Sequence, residues 1–157
     1  MTAKLEMRTP MPVTIRPLEI RDEARWRELW AGYLAFYKCP DLPAAITDHT
    51  WSMLMGSRPD VFGLVAEDDG RVIGIANCVI HANTWTDKFI CYLEDLFVDP
   101  VARGQGAGRA LIEGVYARAK QEGWGQVYWR TANANPARKL YDQVANEIGF
   151  VTYANKL

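Results

Sequence analysis

Residues 103–109 read Arg-Gly-Gln-Gly-Ala-Gly-Arg and fall between an apolar run and a helical one. Glycine lets a backbone turn without a Cβ clash and approach a ligand closely. A helix starting there presents unpaired N–H groups and the positive end of its dipole. Together these suit an anion such as phosphate, and Arg103 and Arg109 add charge. Two nucleotide patterns do not fit. A Walker A loop ends in Gly-Lys-Ser/Thr, whereas Gly108 is followed by Arg109-Ala110. A dinucleotide fingerprint reads G-x-G-x-x-G in an early βαβ unit, whereas Gly104, Gly106 and Gly108 give G-x-G-x-G. A pyrophosphate cradle of another kind and a plain glycine-rich turn both remain. Upstream, residues 89–98 read FICYLEDLFV. This run is apolar on both faces, as in a central strand, yet Glu94 and Asp95 interrupt it. Such carboxylates are either satisfied structurally or used in chemistry. Cys91 has no histidine paired with it in the sequence and reads as a small buried hydrophobe.

The surrounding elements follow from periodicity. Residues 13–16 alternate and form a short strand that ends at Pro17. Trp26, Leu29, Trp30, Tyr33, Leu34 and Tyr37 share one helical face, with Asp22 and Glu23 in the first turn and Pro40 and Pro43 beyond. Residues 44–55 predict a second helix ending near Gly56. Residues 61–66 and 71–80 are β-branched runs joined by Asp68-Asp69-Gly70, a hairpin signal. Residues 82–87 form a polar loop, and 89–98 a third long strand stopped by Asp99-Pro100. A helix follows the glycine loop to about Glu122, with Leu111, Ile112, Val115, Tyr116 and Ala119 on its apolar face and Gly123 as stop. A strand at 126–131, a helix at 136–148 and a last strand at 150–153 complete an α/β chain with a mixed, mostly antiparallel sheet.

Composition sets limits. The chain has 157 residues, enough for one domain with its own core and too few for a kinase or TIM barrel. We expect a flexible tail at 1–12 and one domain at 13–157. Eighteen Lys+Arg against nineteen Asp+Glu give a net charge of −1, so no nucleic-acid footprint is expected. No run approaches 18 apolar residues, and the amino terminus lacks a signal-peptide pattern, so no membrane partner is expected. Cys39, Cys78 and Cys91 are odd in number and form no C-x-x-C, which points to reduced thiols in a cytoplasmic protein without a metal site. Six Trp and seven Tyr are many for this length, and Trp26, Trp30, Tyr33, Phe36 and Tyr37 crowd the first helix.

The run LEDLFVDPVARGQGAGRALI, residues 93–112, resembles the acyl-CoA signature of the GCN5-related N-acetyltransferase (GNAT) family, Gln/Arg-x-x-Gly-x-Gly/Ala after a strand and a Pro-containing turn. The later family element, Asn…Ala-x-x-Leu-Tyr…Gly-Phe, is similar to residues 133–141 and Gly149-Phe150. The resemblance spans about residues 13–155. It is nearest to the diamine acetyltransferase-like and fungal histone acetyltransferase-like branches, through YLEDLFV and CVIHANTW.

The resemblance implies acetyl-CoA as cofactor, a cytoplasmic enzyme and a homodimer. It implies that Arg103, Gly104, Gln105, Gly106, Ala107, Gly108 and Arg109 hold the pyrophosphate, and that the pantetheine arm pairs with the backbone of Leu96 and Val98. The family asparagine falls at Ala134, so Asn133 and Asn135 both stand as its counterpart, and both also read as helix N-caps. Glu94 matches a general base and is expected, by strand alternation, to share a face with Tyr92, Leu96 and Val98 in a buried setting that raises its pKa. Tyr141 matches a tyrosine near the CoA sulfur, placed to protonate the departing thiolate, and the Leu96 N–H would polarise the thioester. The acceptor site is expected among Tyr33, Phe36, Tyr37, Asp41, His81 and Trp85, with Asp95 structural or on the substrate side. This favours direct transfer to the primary amine of a small molecule: a polyamine, an amino acid or a lysine-like amine. The alternative is a protein lysine or N-terminal acetyltransferase. A non-catalytic acyl-CoA-binding protein would be expected to lack Glu94 and Tyr141.

Overall fold

The computed structural model describes residues 12–157; the expected amino-terminal tail falls almost wholly outside them. Five strands form one sheet in the order β1 (Thr14–Pro17), β2 (Val61–Asp68), β3 (Arg71–His81), β4 (Ile90–Val98) and β5 (Gln126–Tyr128). The first four pair antiparallel, and β5 pairs parallel to β4. Helices α1 (Glu23–Phe36) and α2 (Ala44–Ser52) cover one face, while α3 (Ala107–Glu122) and α4 (Arg138–Val144) belong to the other. The mixed α/β sheet is the expected architecture.

Each face closes over its own core. Trp26, Leu29 and Trp30 of α1 pack with Trp51, Val65, Ile75 and Phe97. The indole of the fully buried Trp26 donates to Asn77 Oδ1 at 3.2 Å, so its one polar atom is satisfied. Opposite, Leu111, Ile112 and Val115 of α3 pack on Ala66, Ala76, Cys78 and Leu93. Gly114 lets α3 approach β1 closely: a Cβ there would lie 2.7 Å from Ile15 Cγ2.

One irregularity in β4 redirects the site. Asn77 pairs with Asp95 but Cys78 pairs with Leu93, so Glu94 is an extra residue, a β-bulge. The expected common face for Tyr92, Glu94, Leu96 and Val98 is therefore broken. Cys91 and Leu93 face α3 before the bulge, Leu96 and Val98 face that side after it, and Phe97 packs toward α1.

Other elements differ from expectation for local reasons. Asp22 precedes α1 instead of serving in its first turn, and its carboxylate takes both Nη atoms of Arg16 at 2.7 and 2.9 Å. The second helix stops at Ser52 and runs into a wide turn at Met53–Ser57, where Gly56 is left-handed. β5 ends at Tyr128 because the next residues diverge. Trp129 packs on Tyr116 and Tyr141, whereas Arg130 bonds to Tyr92. The last helix is shortened to Arg138–Val144. Residues 150–153 form no strand: among the described residues no neighbour offers them a ladder, and Phe150, Val151 and Tyr153 are exposed.

Candidate active site

β4 and β5 pair only through Ile90–Tyr92 with Gln126–Tyr128, so the rest of β4 has an open edge. The Asp99 N–H bonds to Ile73 O at 2.8 Å, toward β3. Because peptide groups alternate along an antiparallel ladder, those of Leu96 and Val98 face away from β3. A cavity of about 430 Å³ lies along this edge, lined by Leu96 and Val98, the glycine loop, and Tyr33, Phe36, Tyr37, Asn135, Leu140 and Tyr141. A smaller recess continues from it past Tyr33, Tyr37, Leu96 and Tyr141 to Leu93, Glu94, Trp129 and Arg130.

The loop end of the cavity is built for an anion. Gly104 and Gly106 are left-handed (φ 83° and 80°), and a Cβ on either would point into open space. Gly106 is the N-cap of α3 without any side-chain cap, and the first backbone bond returning to it is Ala110 N–H to Gly106 O at 2.9 Å. The preceding N–H groups of the helix terminus therefore lack helical partners and can meet phosphate oxygens. Arg103, Gly104, Gly106, Ala107, Gly108 and Arg109 all line the cavity; Gln105 does not. Arg103 donates from Nε to Val98 O at 3.3 Å and lies 5.5 Å from the Phe97 ring centroid, and Arg109 donates to Gln143. The cradle thus fits a pyrophosphate, and the freed edge of β4 fits an extended amide-bearing arm.

At the far end, Glu94 is exposed at the bulge and lines the recess. The carboxylate that burial acts on is its neighbour. Asp95 is 8% exposed, accepts from Asn77 Nδ2 at 3.1 Å and also accepts the Tyr33 hydroxyl. Desolvation outweighs both bonds and pushes the Asp95 carboxyl up to about 6. Burial also raises the Tyr33 phenol, helped by the Asp95 charge. Tyr141 lines both spaces, stands edge-on to Trp129 at 5.4 Å, and is raised by burial to about 12.

The structure brings Tyr33, Phe36 and Tyr37 to the cavity and sets Asp95 beneath Tyr33. It does not bring Asp41, His81 or Trp85 there. Asp41 is exposed in the turn before α2. His81 closes β3, where its ring bonds to Tyr128 Oη at 2.7 Å and Ala82 O at 2.8 Å. Trp85 is 91% exposed in the following loop. Of the two asparagines, Asn135 lines the cavity, while its side chain caps Ala137 N–H at 2.9 Å and donates to Thr131 at 2.8 Å. Asn133 is exposed and does not line it. Trp129 and Arg130 were hidden in the sequence, where both read as ordinary strand residues.

A half-covered strand beside an uncapped, glycine-led helix is the architecture of an acyl-CoA-dependent N-acyltransferase. The chain belongs to the acetyltransferase (GNAT) family, whose model matches residues 23–145, and that family uses acetyl-CoA. It is 34% identical over 144 residues to the D-amino-acid N-acetyltransferase HPA3 of Saccharomyces cerevisiae, covering 90% of this chain and 89% of that protein. It is 32% identical over 145 residues to the uncharacterized N-acetyltransferase YhfO of Bacillus subtilis, covering 90% and 95%. It shares its fold with the aminoglycoside N-acetyltransferase AAC(6')-Iy, solved in complex with CoA, at TM-score 0.79 and 22% identity over 97% of this chain and 99% of the other. The chain is an N-acetyltransferase of this family.

Proposed function

We propose that the chain transfers acetyl from acetyl-CoA directly to the primary amine of a small molecule within a ternary complex. The continuity of cradle, freed β4 edge and recess carries this reading: a cofactor laid along the cavity ends at the recess that Glu94 and Tyr141 both line. Bound acetyl-CoA supplies an activated acetyl group; a C–S bond breaks, a C–N bond forms, and amide and free thiol result. Backbone N–H groups from Gly106 to Arg109 hold the pyrophosphate, with Arg103 beside them. Leu96 and Val98 hold the arm by their backbone, and the Leu96 N–H polarises the acetyl carbonyl. Glu94 takes the proton that the acceptor ammonium must lose, through water. Tyr141 gives a proton to the leaving thiolate; burial keeps its phenol protonated at neutral pH. Tyr33, Phe36 and Tyr37 form the aromatic wall against the acceptor's carbon chain.

A small acceptor is supported by the narrow recess and by the names of the relatives, one of which acts on D-amino acids. A cytoplasmic homodimer is part of the same reading, supported by the three free thiols and by the exposed apolar residues near the carboxy terminus. The test is thiol release from acetyl-CoA across an amine panel. Saturable turnover with intersecting double-reciprocal lines is expected. Parallel lines or an isolable acetyl-enzyme would overturn direct transfer.

A further inference from the structure

Most arginines of the described chain sit in ion pairs with carboxylates. The four that do not are Arg103, Arg109, Arg118 and Arg130. Arg103 and Arg109 belong to the phosphate cradle. Arg118 is stacked on Phe62, its guanidinium carbon 4.0 Å from the ring centroid. Arg130 rests on Tyr92, but only one of its guanidinium nitrogens is bonded there. It lies at the recess where acetyl transfer is proposed, lining the same space as Glu94, yet the two form no ion pair.

Arg130 is nevertheless held in place. Its Nε donates to Tyr92 Oη at 3.0 Å, and its guanidinium carbon lies 5.2 Å from the Tyr92 ring centroid. Tyr92 stacks on Tyr128 at 5.0 Å, and Tyr128 is bonded through its hydroxyl to His81. This chain of rings orders a long side chain before any ligand arrives, which lowers the entropy lost on binding. With Nε taken, the Nη1 and Nη2 end of the fork has no hydrogen-bond partner among the described residues, and that end can donate two parallel bonds to a carboxylate. Glu94 lines the same recess and, among the described residues, likewise has no hydrogen-bond partner.

A fixed cation and a carboxylate lining one small recess complement a zwitterion. Resting on the acetyl-transfer reading above, we propose that the acceptor is an α-amino acid and that Arg130 binds its carboxylate while Glu94 receives its ammonium. Arg130 is then the specificity-determining residue. It favours amino acids over their decarboxylated amines, and it repels the second ammonium of a diamine. His81 gains a role at one remove: it positions Tyr128, which backs the Tyr92–Arg130 clamp.

The experiment compares matched acceptors at saturating acetyl-CoA, reading free thiol. The acceptors are phenylalanine against phenethylamine and phenylalaninamide, and lysine against cadaverine, with each amino acid as both enantiomers. A charge-assisted pair is expected to give at least one enantiomer of each amino acid a kcat/KM about 10–100-fold above its decarboxylated partner. Arg130→Gln should bring that ratio close to one, and Arg130→Lys should restore part of it. Equal or better turnover of phenethylamine and cadaverine by the wild type overturns the carboxylate assignment alone, as does an unchanged ratio in Arg130→Gln. Absence of thiol release with every amine overturns the transfer reading together with it. The wild-type ratio decides the matter even if a variant fails to fold.

Discussion

Replacing Asp95 by asparagine tests the electrostatics of the bulge without changing its shape. The native carboxyl is pushed from its ordinary 3.8 to about 6 because the site is nearly closed to water. The native state therefore holds the Asp95 proton more tightly than the unfolded chain does. Stability from this group is fully present below about pH 4, declines as pH rises, and is lost by about pH 6. The window of about two pH units, at about 1.4 kcal/mol each, makes the decline about 3 kcal/mol. Asparagine does not titrate there, so Asp95→Asn removes the slope. It also leaves one amide hydrogen facing the Asn77 and Tyr33 donors, a fixed offset that pH does not alter. Urea unfolding of both proteins at constant ionic strength, from pH 4 to 8, reads the difference directly, since all other groups cancel. The stability of wild type relative to variant should fall by about 2 kcal/mol or more between pH 4 and 7. A difference that stays constant with pH would refute the claim that Asp95 is a desolvated carboxylate.

Four further outcomes are expected. Glu94→Gln should lower kcat by about 10²–10⁴-fold, and unchanged turnover across pH would remove Glu94 from proton transfer. Tyr141→Phe should lower kcat by about 10-fold or more with little change in the acetyl-CoA KM, measured by steady-state thiol release. Gly106→Val places a β-branched side chain at φ 80° in the cradle, so calorimetry should show weakened CoA binding, and retained affinity would contradict the pyrophosphate assignment. Gly114→Ala sets a methyl 2.7 Å from Ile15 Cγ2 and should cost about 1–3 kcal/mol in thermal or urea unfolding without altering kcat.

The glycine loop and α3 were legible because local chemistry determines them: glycines where φ is positive, then apolar residues at helical spacing. The Trp-rich face of α1 was legible for the same reason. The bulge was not. Glu94 carries no glycine signature, and an extra residue in a strand leaves the hydrophobic pattern readable on either side while swapping the faces between them. The short β5 and the missing last strand depend on partners, which a run of β-formers does not supply. Asp41, His81 and Trp85 lay in segments whose path is set by tertiary contacts, and only their residue types had suggested an acceptor site. Arg130 was obscured by an apparently regular strand in which Trp129 and Arg130 part to opposite sides.

β4 is an edge strand placed in the middle of a protein. From Leu93 onward its outer backbone groups have no strand to meet, the condition under which exposed sheets recruit foreign chains and aggregate. Here the walls of Tyr33, Tyr37, Leu140 and Tyr141 leave a slot rather than a face. A slot admits a single thin, amide-bearing thread and refuses a second β-sheet. The hazard of an unpaired edge is thereby turned into selectivity for one shape of guest, and loss of those walls would be felt first as self-association.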